Sequence, residues 1–327
     1  MTKHKTILAA CALALALPSA AQEMPGKGIT IRPAEGTNIE EKFQHRIVYR
    51  ALEELGYAVA EPSETSYQLI HVAIGGGDAD FTAVHWDPLH TAFYDESGGG
   101  ERIAKVGSLV EGALQGYLVD KKSFDAGITN LGDLKKPEVA KHFDATGNGK
   151  ADLVGCPPGW GCEKVITHQV EEFGLGDTVD QNQGEYAAIV GDAIARFKSG
   201  EPIIYYTWTP YWVSGVLVPG RDVEWIEVPY SSLPDGRTAD TTYNGKQVGF
   251  EVNALRIVAN SDFLRDNPAA EKLFELASID INDVSAQNNK MRDGEDKDAD
   301  INRHVDEWIA KNRATFDGWI KAARTAG

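Results

Sequence analysis

The sequence predicts an α/β protein in two lobes, the chain leaving the first lobe and later returning to it. Three observations carry that reading. A strand-helix-strand unit opens the chain, the signature of a parallel sheet. A new series of helix and strand signals follows Asp120, and the run Gly249-Phe-Glu-Val-Asn-Ala-Leu-Arg-Ile-Val258 reads as a second crossover into a mainly helical remainder. The length agrees: setting aside an N-terminal leader of 21 residues from the 327 leaves enough chain for two cores.

That leader has Lys3 and Lys5, an apolar run from Thr6 to Leu17, and small residues in Pro18-Ser-Ala-Ala21, the pattern of a cleaved secretory signal over residues 1–21. The run is too short to span a bilayer, and no later stretch approaches the roughly 20 apolar residues a spanning helix needs. Leu8-Ala-Ala-Cys11 has the form of a lipidation site, but few apolar residues precede Cys11 and a better hydrophobic stretch follows it, so cleavage after Ala21 is preferred. Loss of Lys3 and Lys5 takes the formal charge from −17 to −19. So acidic a surface argues against nucleic acid or anionic lipid as partner.

After Pro25, Gly28-Ile-Thr-Ile-Arg32 reads as a strand and Thr37-Asn-Ile-Glu40 as a capping box. Phe43, Ile47, Val48, Ala51, Leu52 and Leu55 recur at helical spacing, Gly56 ends the helix, and Tyr57-Ala-Val-Ala60 is the second strand. Tyr67 to Ile74 reads as a helix closed by a turn at Gly75-Gly-Gly77, glycines without phosphate-loop spacing. Asp78 to Val84 is a buried strand running into His85-Trp86-Asp87-Pro88-Leu89-His90. Ligands of open α/β sheets bind at the carboxyl ends of strands, which makes Trp86 and His90 candidates. Taken singly, a core tryptophan and a surface histidine would be the commoner outcome.

Gly112 to Asp120 is strand-like, and Ile128-Thr-Asn-Leu-Gly-Asp-Leu134 opens a helical region. Asp144-Ala-Thr-Gly-Asn-Gly-Lys-Ala-Asp152 echoes a calcium loop, but Gly155 stands where the bidentate glutamate belongs, so a polar turn is expected. Gly155-Cys-Pro-Pro-Gly-Trp160-Gly-Cys162 follows. Its cysteines are the two left after leader removal, and an even count in an oxidising compartment argues for a Cys156–Cys162 disulfide. A loop this short contributes only roughly 2 kcal/mol of chain-entropy stabilisation, so the bond is better explained as shaping the loop. Val165, Ile166, Gln169 and Val170 then mark one face of a helix, placing Trp160 at its N-terminus. Tyr186 to Phe197 is a helix, and Pro202 to Tyr206 a strand leading into Thr207-Trp208-Thr-Pro210. Trp208, like Trp86, lies two residues before a proline that turns the chain. In the helical remainder Ile301, Val305, Trp308, Ile309, Phe316, Trp319 and Ile320 are core, and Asp293 to Asp300 is a solvated acidic stretch.

Trp86, Trp160 and Trp208 thus come from loops after core elements. Several indole faces around one point favour a bulky, poorly hydrated cation, of which quaternary ammonium is the model. The amides of Gly161 and Cys162 at a helix mouth form an anion site, with His90 as a further donor. Cation and carboxylate together describe a betaine. Micromolar binding needs about −8 kcal/mol, and three desolvated cation–π contacts at roughly 2 kcal/mol each, with hydrogen bonds at the other end, are of that order before ordering costs.

These residues carry a resemblance to the periplasmic glycine betaine/proline betaine-binding proteins of ProU-like ABC transporters (ProX-type), over essentially the whole chain after the leader. It rests on Phe81-Thr-Ala-Val-His-Trp86-Asp-Pro-Leu-His90, Gly155-Cys-Pro-Pro-Gly-Trp160-Gly-Cys-Glu163 and Tyr205-Tyr-Thr-Trp208-Thr-Pro-Tyr-Trp-Val213, with support from Pro25 to Thr30, Gly116 to Lys122 and Ala286-Gln-Asn288. The resemblance implies a class II two-lobed periplasmic binding protein, each lobe a mixed sheet flanked by helices, with ligand in the interlobe cleft. Residues 22–118 and 253–327 would form lobe 1 and residues 119–252 lobe 2. It implies an aromatic box of Trp86, Trp160 and Trp208, and carboxylate contacts from His90 and the Gly161 and Cys162 amides. It further implies no enzymatic activity, no cofactor or metal, an ABC permease and its ATPase as partners, and a monomer. Asp87 departs from the neutral residue expected there. Facing the cleft it would favour choline, although strand alternation turns it away from Trp86. Choline or carnitine capture, and an exported sugar-binding module, are the alternatives. A hydrolase is disfavoured, since the chain has neither G-x-S-x-G nor H-E-x-x-H and its eight histidines are scattered.

Overall fold

The computed structural model describes residues 24–326; the leader, its cleavage point and Cys11 lie outside them. The chain opens as read. Strand β1 (Thr30–Ile31), helix α1 (Lys42–Glu54) and strand β2 (Ala58–Val59) start lobe 1, and β1 and β2 pair in parallel, Thr30 opposite Ala58. The apolar face of α1 is buried throughout, from Phe43 to Leu52. The expected capping box is not made: the first turn is a 3-10 turn over Ile39–Glu41 whose N-cap, Asn38, makes no side-chain cap bond. Both glutamates of that turn have other partners, described below.

Helix α2 (Tyr67–Gly76) runs through the glycines expected to form a turn, and only Gly77 (φ 80°) adopts the left-handed cap conformation. The reason for glycine inside the helix is a close approach: a Cβ on Gly75 would lie 2.2 Å from the carbonyl oxygen of Ser97. Strand β3 (Phe81–Asp87) then delivers Trp86 and His85 to the rim of the sheet.

The next strand joins the lobes. Strand β4 is 18 residues long (Ile103–Asp120), far more than the Gly112–Asp120 segment its sequence suggests. Its first half, to Ala113, pairs with the returning strand; its second half, from Leu114, pairs antiparallel with the strand that carries Trp208. Lobe 2 continues as β5 (Ala151–Val154), α3 (Gly161–Glu172), β6 (Val179–Asn182), α4 (Tyr186–Lys198), β7 (Ile204–Thr209) and β8 (Val223–Ile226). Its sheet runs β8-β4-β7-β5-β6, with β5 parallel to both neighbours and β4 antiparallel to its own. Strand β9 (Asn253–Asn260) returns to lobe 1 between β3 and β4, antiparallel to both, with Leu255 opposite Trp86 on one side and Val110 on the other. Four longer helices, α5 (Pro268–Leu276), α6 (Ile281–Arg292), α7 (Asp298–Lys311) and α8 (Arg313–Arg324), cover this lobe, burying the predicted Ile301, Val305, Trp308, Phe316 and Ile320.

The calcium-like loop is a self-contained turn. Asp144 accepts the amides of Gly147, Asn148 and Gly149, and Asp152 those of Ala145 and Thr146, so backbone donors occupy the carboxylates. Gly75 provides the test of the fold. Gly75→Ala is expected to destabilise by about 1–3 kcal/mol through the clash with Ser97, read as a lower thermal midpoint, whereas Gly76→Ala, whose added carbon meets nothing closer than 3.7 Å, is expected to be neutral or stabilising.

Candidate functional site

One pocket at the junction of the lobes encloses about 300 Å³, part of it open to solvent. Lobe 1 supplies Asn38, Glu41, Tyr67, Trp86, Leu89 and His90; Gln115, Trp160, Gly161, Cys162, Tyr206 and Trp208 come from β4 and lobe 2. All six residues singled out from the sequence, Trp86, Trp160, Trp208, His90, Gly161 and Cys162, therefore line the same space.

Local folding explains how each arrives. Trp86 and Trp208 sit near the ends of β3 and β7, where Asp87-Pro88 and Thr209-Pro210, both cis, turn the chain. Trp208 is wedged among tyrosines, its ring 4.2 Å from Tyr211, 4.6 Å from Tyr186 and 6.0 Å from Tyr206 by centroid. Packing of that density fixes its rotamer. Trp160 is the N-cap of α3 and stands edge-on to Trp208 at 5.6 Å and 68°. It also meets Tyr67 of the other lobe edge-on at 6.0 Å. The Cys156–Cys162 disulfide, with 6.0 Å between Cα atoms, ties the start of this loop to the first turn of α3.

The Gly161 and Cys162 amides belong to that first turn, whose N–H groups have no partner within the helix. With the helix dipole they form a positive concavity lined by no cationic side chain. Gly161 is needed for the approach: a Cβ there would lie 2.8 Å from the Leu89 side chain, 3.2 Å from its carbonyl oxygen and 3.3 Å from Cδ2 of His90. His90 is buried, and its Nδ1 lies 3.3 Å from the Trp86 amide. An amide only donates, so Nδ1 accepts and the proton of the neutral ring is on Nε2. Burial, then the neighbouring His85 and His71, push the His90 pKa well below its ordinary value, leaving a neutral donor.

Behind His90 lie His71 and His85, and the ring nitrogens of the three fall within 4.8 Å of one another. His71 Nδ1 donates to the Tyr67 carbonyl at 2.6 Å, which leaves its Nε2 to accept from His85 Nδ1 at 2.8 Å. Two nitrogens on one tetrahedral zinc stand about 3.3 Å apart; at 2.8 Å this pair shares a proton, and the cluster is a hydrogen-bonded layer supporting His90. Asp87 lies outside the pocket lining. Its carboxylate takes Lys105 Nζ at 2.6 Å and Arg256 Nε at 2.7 Å, and the Lys105 ammonium holds it well below the usual carboxylate range, while neutral His85, its proton given to His71, turns only an unprotonated Nε2 toward it at 3.8 Å. The departure noted in the sequence is therefore spent in an ion-pair cluster on the far side of β3.

Six lining residues, Asn38, Glu41, Tyr67, Leu89, Gln115 and Tyr206, are not among the candidates read from the sequence, and Glu41, with its neighbour Glu40, is the most consequential omission. Glu41, only 4% exposed, accepts Trp86 Nε1–H at 3.0 Å and the Tyr67 hydroxyl at 3.0 Å. Glu40 accepts the Trp212 indole N–H at 3.2 Å, a bond from lobe 1 to lobe 2. The signal available was the adjacent pair Glu40-Glu41 beside a turn, which helix-capping grammar absorbs without remainder.

Two lobes joined through a shared strand, with one aromatic pocket between them, define a bilobal substrate-binding protein. Residues 29–311 match the family model described as the substrate binding domain of an ABC-type glycine betaine transport system (OpuAC), and the chain belongs to that family. It is 53% identical over 310 residues to the glycine betaine-binding periplasmic protein OusX of Dickeya dadantii, covering 94% of this chain and 93% of that protein. It is 48% identical over 327 residues to the glycine betaine/proline betaine-binding periplasmic protein of Escherichia coli, covering 99% of each. Among solved structures, an ABC-transporter choline-binding protein in complex with choline shares the fold, with TM-score 0.72 at 16% identity over 91% of this chain and 96% of that one.

Burial pushes the Glu41 carboxyl up from 4.5 to about 7, against the opposing bonds from Trp86 and Tyr67 and with Glu40 and Glu35 adding to the rise. Its folded form keeps a proton that the unfolded chain has lost, so this group costs stability increasingly as pH rises from about 4.5 to 7, by up to about 3 kcal/mol. His71, pushed down to about 3, has the opposite slope below pH 6.5. Comparison with Glu41→Gln isolates the carboxyl: its thermal midpoint relative to the wild type is expected to climb between pH 5 and pH 8. A difference constant with pH would show that Glu41 titrates normally.

Proposed function

We propose that this chain is the periplasmic substrate-binding component of an ABC importer and captures glycine betaine or proline betaine for osmoprotectant uptake. The leader directs it to the periplasm. It works as a monomer that performs no chemistry and hands its ligand to the permease and its ATPase. Residues 22–118 with 253–327, and residues 119–252, are the two lobes that close on the ligand. One observation carries this reading: indole surfaces and unpaired helix amides border a single pocket. The faces of Trp86, Trp160 and Trp208 receive the quaternary ammonium, which offers no N–H and is held by the ring quadrupoles. The Gly161 and Cys162 amides with His90 Nε2–H receive the carboxylate. Family membership and the names of the relatives support the same assignment.

Titration of tryptophan fluorescence or binding heat with glycine betaine, proline betaine, choline and carnitine tests the proposal. Saturable binding of the two betaines, weakened strongly in choline for want of a carboxylate, is expected. Silence toward all four ligands would refute it, and choline binding as tight as betaine would reassign the ligand. Gly161→Ala is expected to weaken betaine binding by about tenfold or more, because Leu89 and His90 are kept from closing on the helix mouth, with little change in the unliganded thermal midpoint. Replacing both Cys156 and Cys162 by serine is expected to lower betaine affinity more than thermal stability, since the bond fixes the separation of the Trp160 face from the α3 amides. Equal affinity in the double variant would remove that role.

A further inference from the structure

We infer that Glu41 is the counter-anion of the ligand, the carboxylate that makes the pocket select positive charge and not shape alone. The inference rests on the reading of the pocket as a betaine site and adds a residue and a discrimination to it.

Glu41 lines the pocket among the tryptophans and is buried. Buried carboxylates are ordinarily paired with a cation, yet among the described residues Glu41 accepts only from neutral groups, the Trp86 indole and the Tyr67 hydroxyl. No lysine or arginine is among the pocket-lining residues. Nearby cations are engaged elsewhere: Lys42 with Glu64 at 2.9 Å, Arg46 with Asp298 at 2.7 Å, and Lys105 and Arg256 with Asp87. The remaining charged neighbours, Glu40 and Glu35, are acidic, and the facing titratable side chains are Tyr67, neutral His90 and Tyr206. Among the described residues the surroundings of Glu41 are thus negative, with no cationic side chain of their own.

The partners chosen are also informative. Indole and phenol place one hydrogen bond on each carboxylate oxygen while leaving its charge uncompensated. A primary ammonium would compete for those acceptor sites. A quaternary ammonium has no proton to donate and gains from the charge through its methyl groups. The raised carboxyl fits the same account, because an arriving cation favours ionisation and releases the proton.

The test compares glycine betaine with tert-butylacetate, its isostere with carbon in place of the ammonium nitrogen, on the wild type and on Glu41→Gln by calorimetry. Glu41→Gln is expected to lose about 100-fold in betaine affinity while tert-butylacetate binding changes less than about threefold, so that the preference for charge collapses. Equal losses for both ligands would make Glu41 a merely structural residue, and unchanged betaine affinity would remove it from the site; either overturns the inference while leaving betaine capture intact. A wild type that binds no betaine overturns both. Should the variant not fold, betaine binding to the wild type in two buffers of different ionisation enthalpy at pH 7 decides: release of about half a proton is expected from a carboxyl titrating near 7, and none would overturn the inference.

Discussion

Moving a carboxylate out of water costs several kcal/mol unless charge or hydrogen bonds replace the hydration shell, and the cleft is arranged around one that has only hydrogen bonds. The two donors to Glu41 are the Trp86 indole and the Tyr67 hydroxyl, so the group that must be satisfied also sets the orientation of two aromatic walls. Tyr67 in turn lies against His90 at 4.7 Å and meets Trp160 across the cleft. Through these contacts the indole walls and the mouth of α3 share one support, and a shift of the carboxylate would move both.

The histidine layer supports the site from behind. Its order of proton donation starts at the Tyr67 carbonyl, which can only accept, and fixes His71 and then His85. His90 is fixed separately by the Trp86 amide. A neutral, oriented donor at the mouth of α3 therefore follows from one backbone group. Asp87 is kept out of this arrangement by Lys105 and Arg256, which neutralise a charge that would otherwise stand one residue from the cage.

Much of this was legible because the chain marks its functional turns with residues that have few other uses. A tryptophan two residues before a proline at a strand end, twice, and a tryptophan between cysteines at a helix start all led to the pocket. What stayed hidden depended on tertiary contact. Thr37-Asn-Ile-Glu40 satisfies a local rule that the fold declines, because Glu40 and Glu41 find partners in Trp212, Trp86 and Tyr67, far away in sequence. Gly75 reads as a turn because nothing local reveals Ser97 against it. The N-terminal half of β4 was missed for a similar reason: Lys105, Gly107 and Glu111 interrupt its alternation, and its pairing with β9 overrides them.

The long β4 strand has a further implication for how the molecule can be taken apart. Tyr117 stands between Tyr206 of β7 and Ile226 of β8, so the middle of the lobe 2 sheet is supplied by a strand whose first half is woven into lobe 1. A cut at the apparent boundary after residue 118 would strip β7 of five of its six β4 partners and β8 of two of its four, leaving unpaired edges, the form most prone to aggregate. The lobes are not modular: neither could have been acquired, exchanged or expressed alone without carrying part of the other with it.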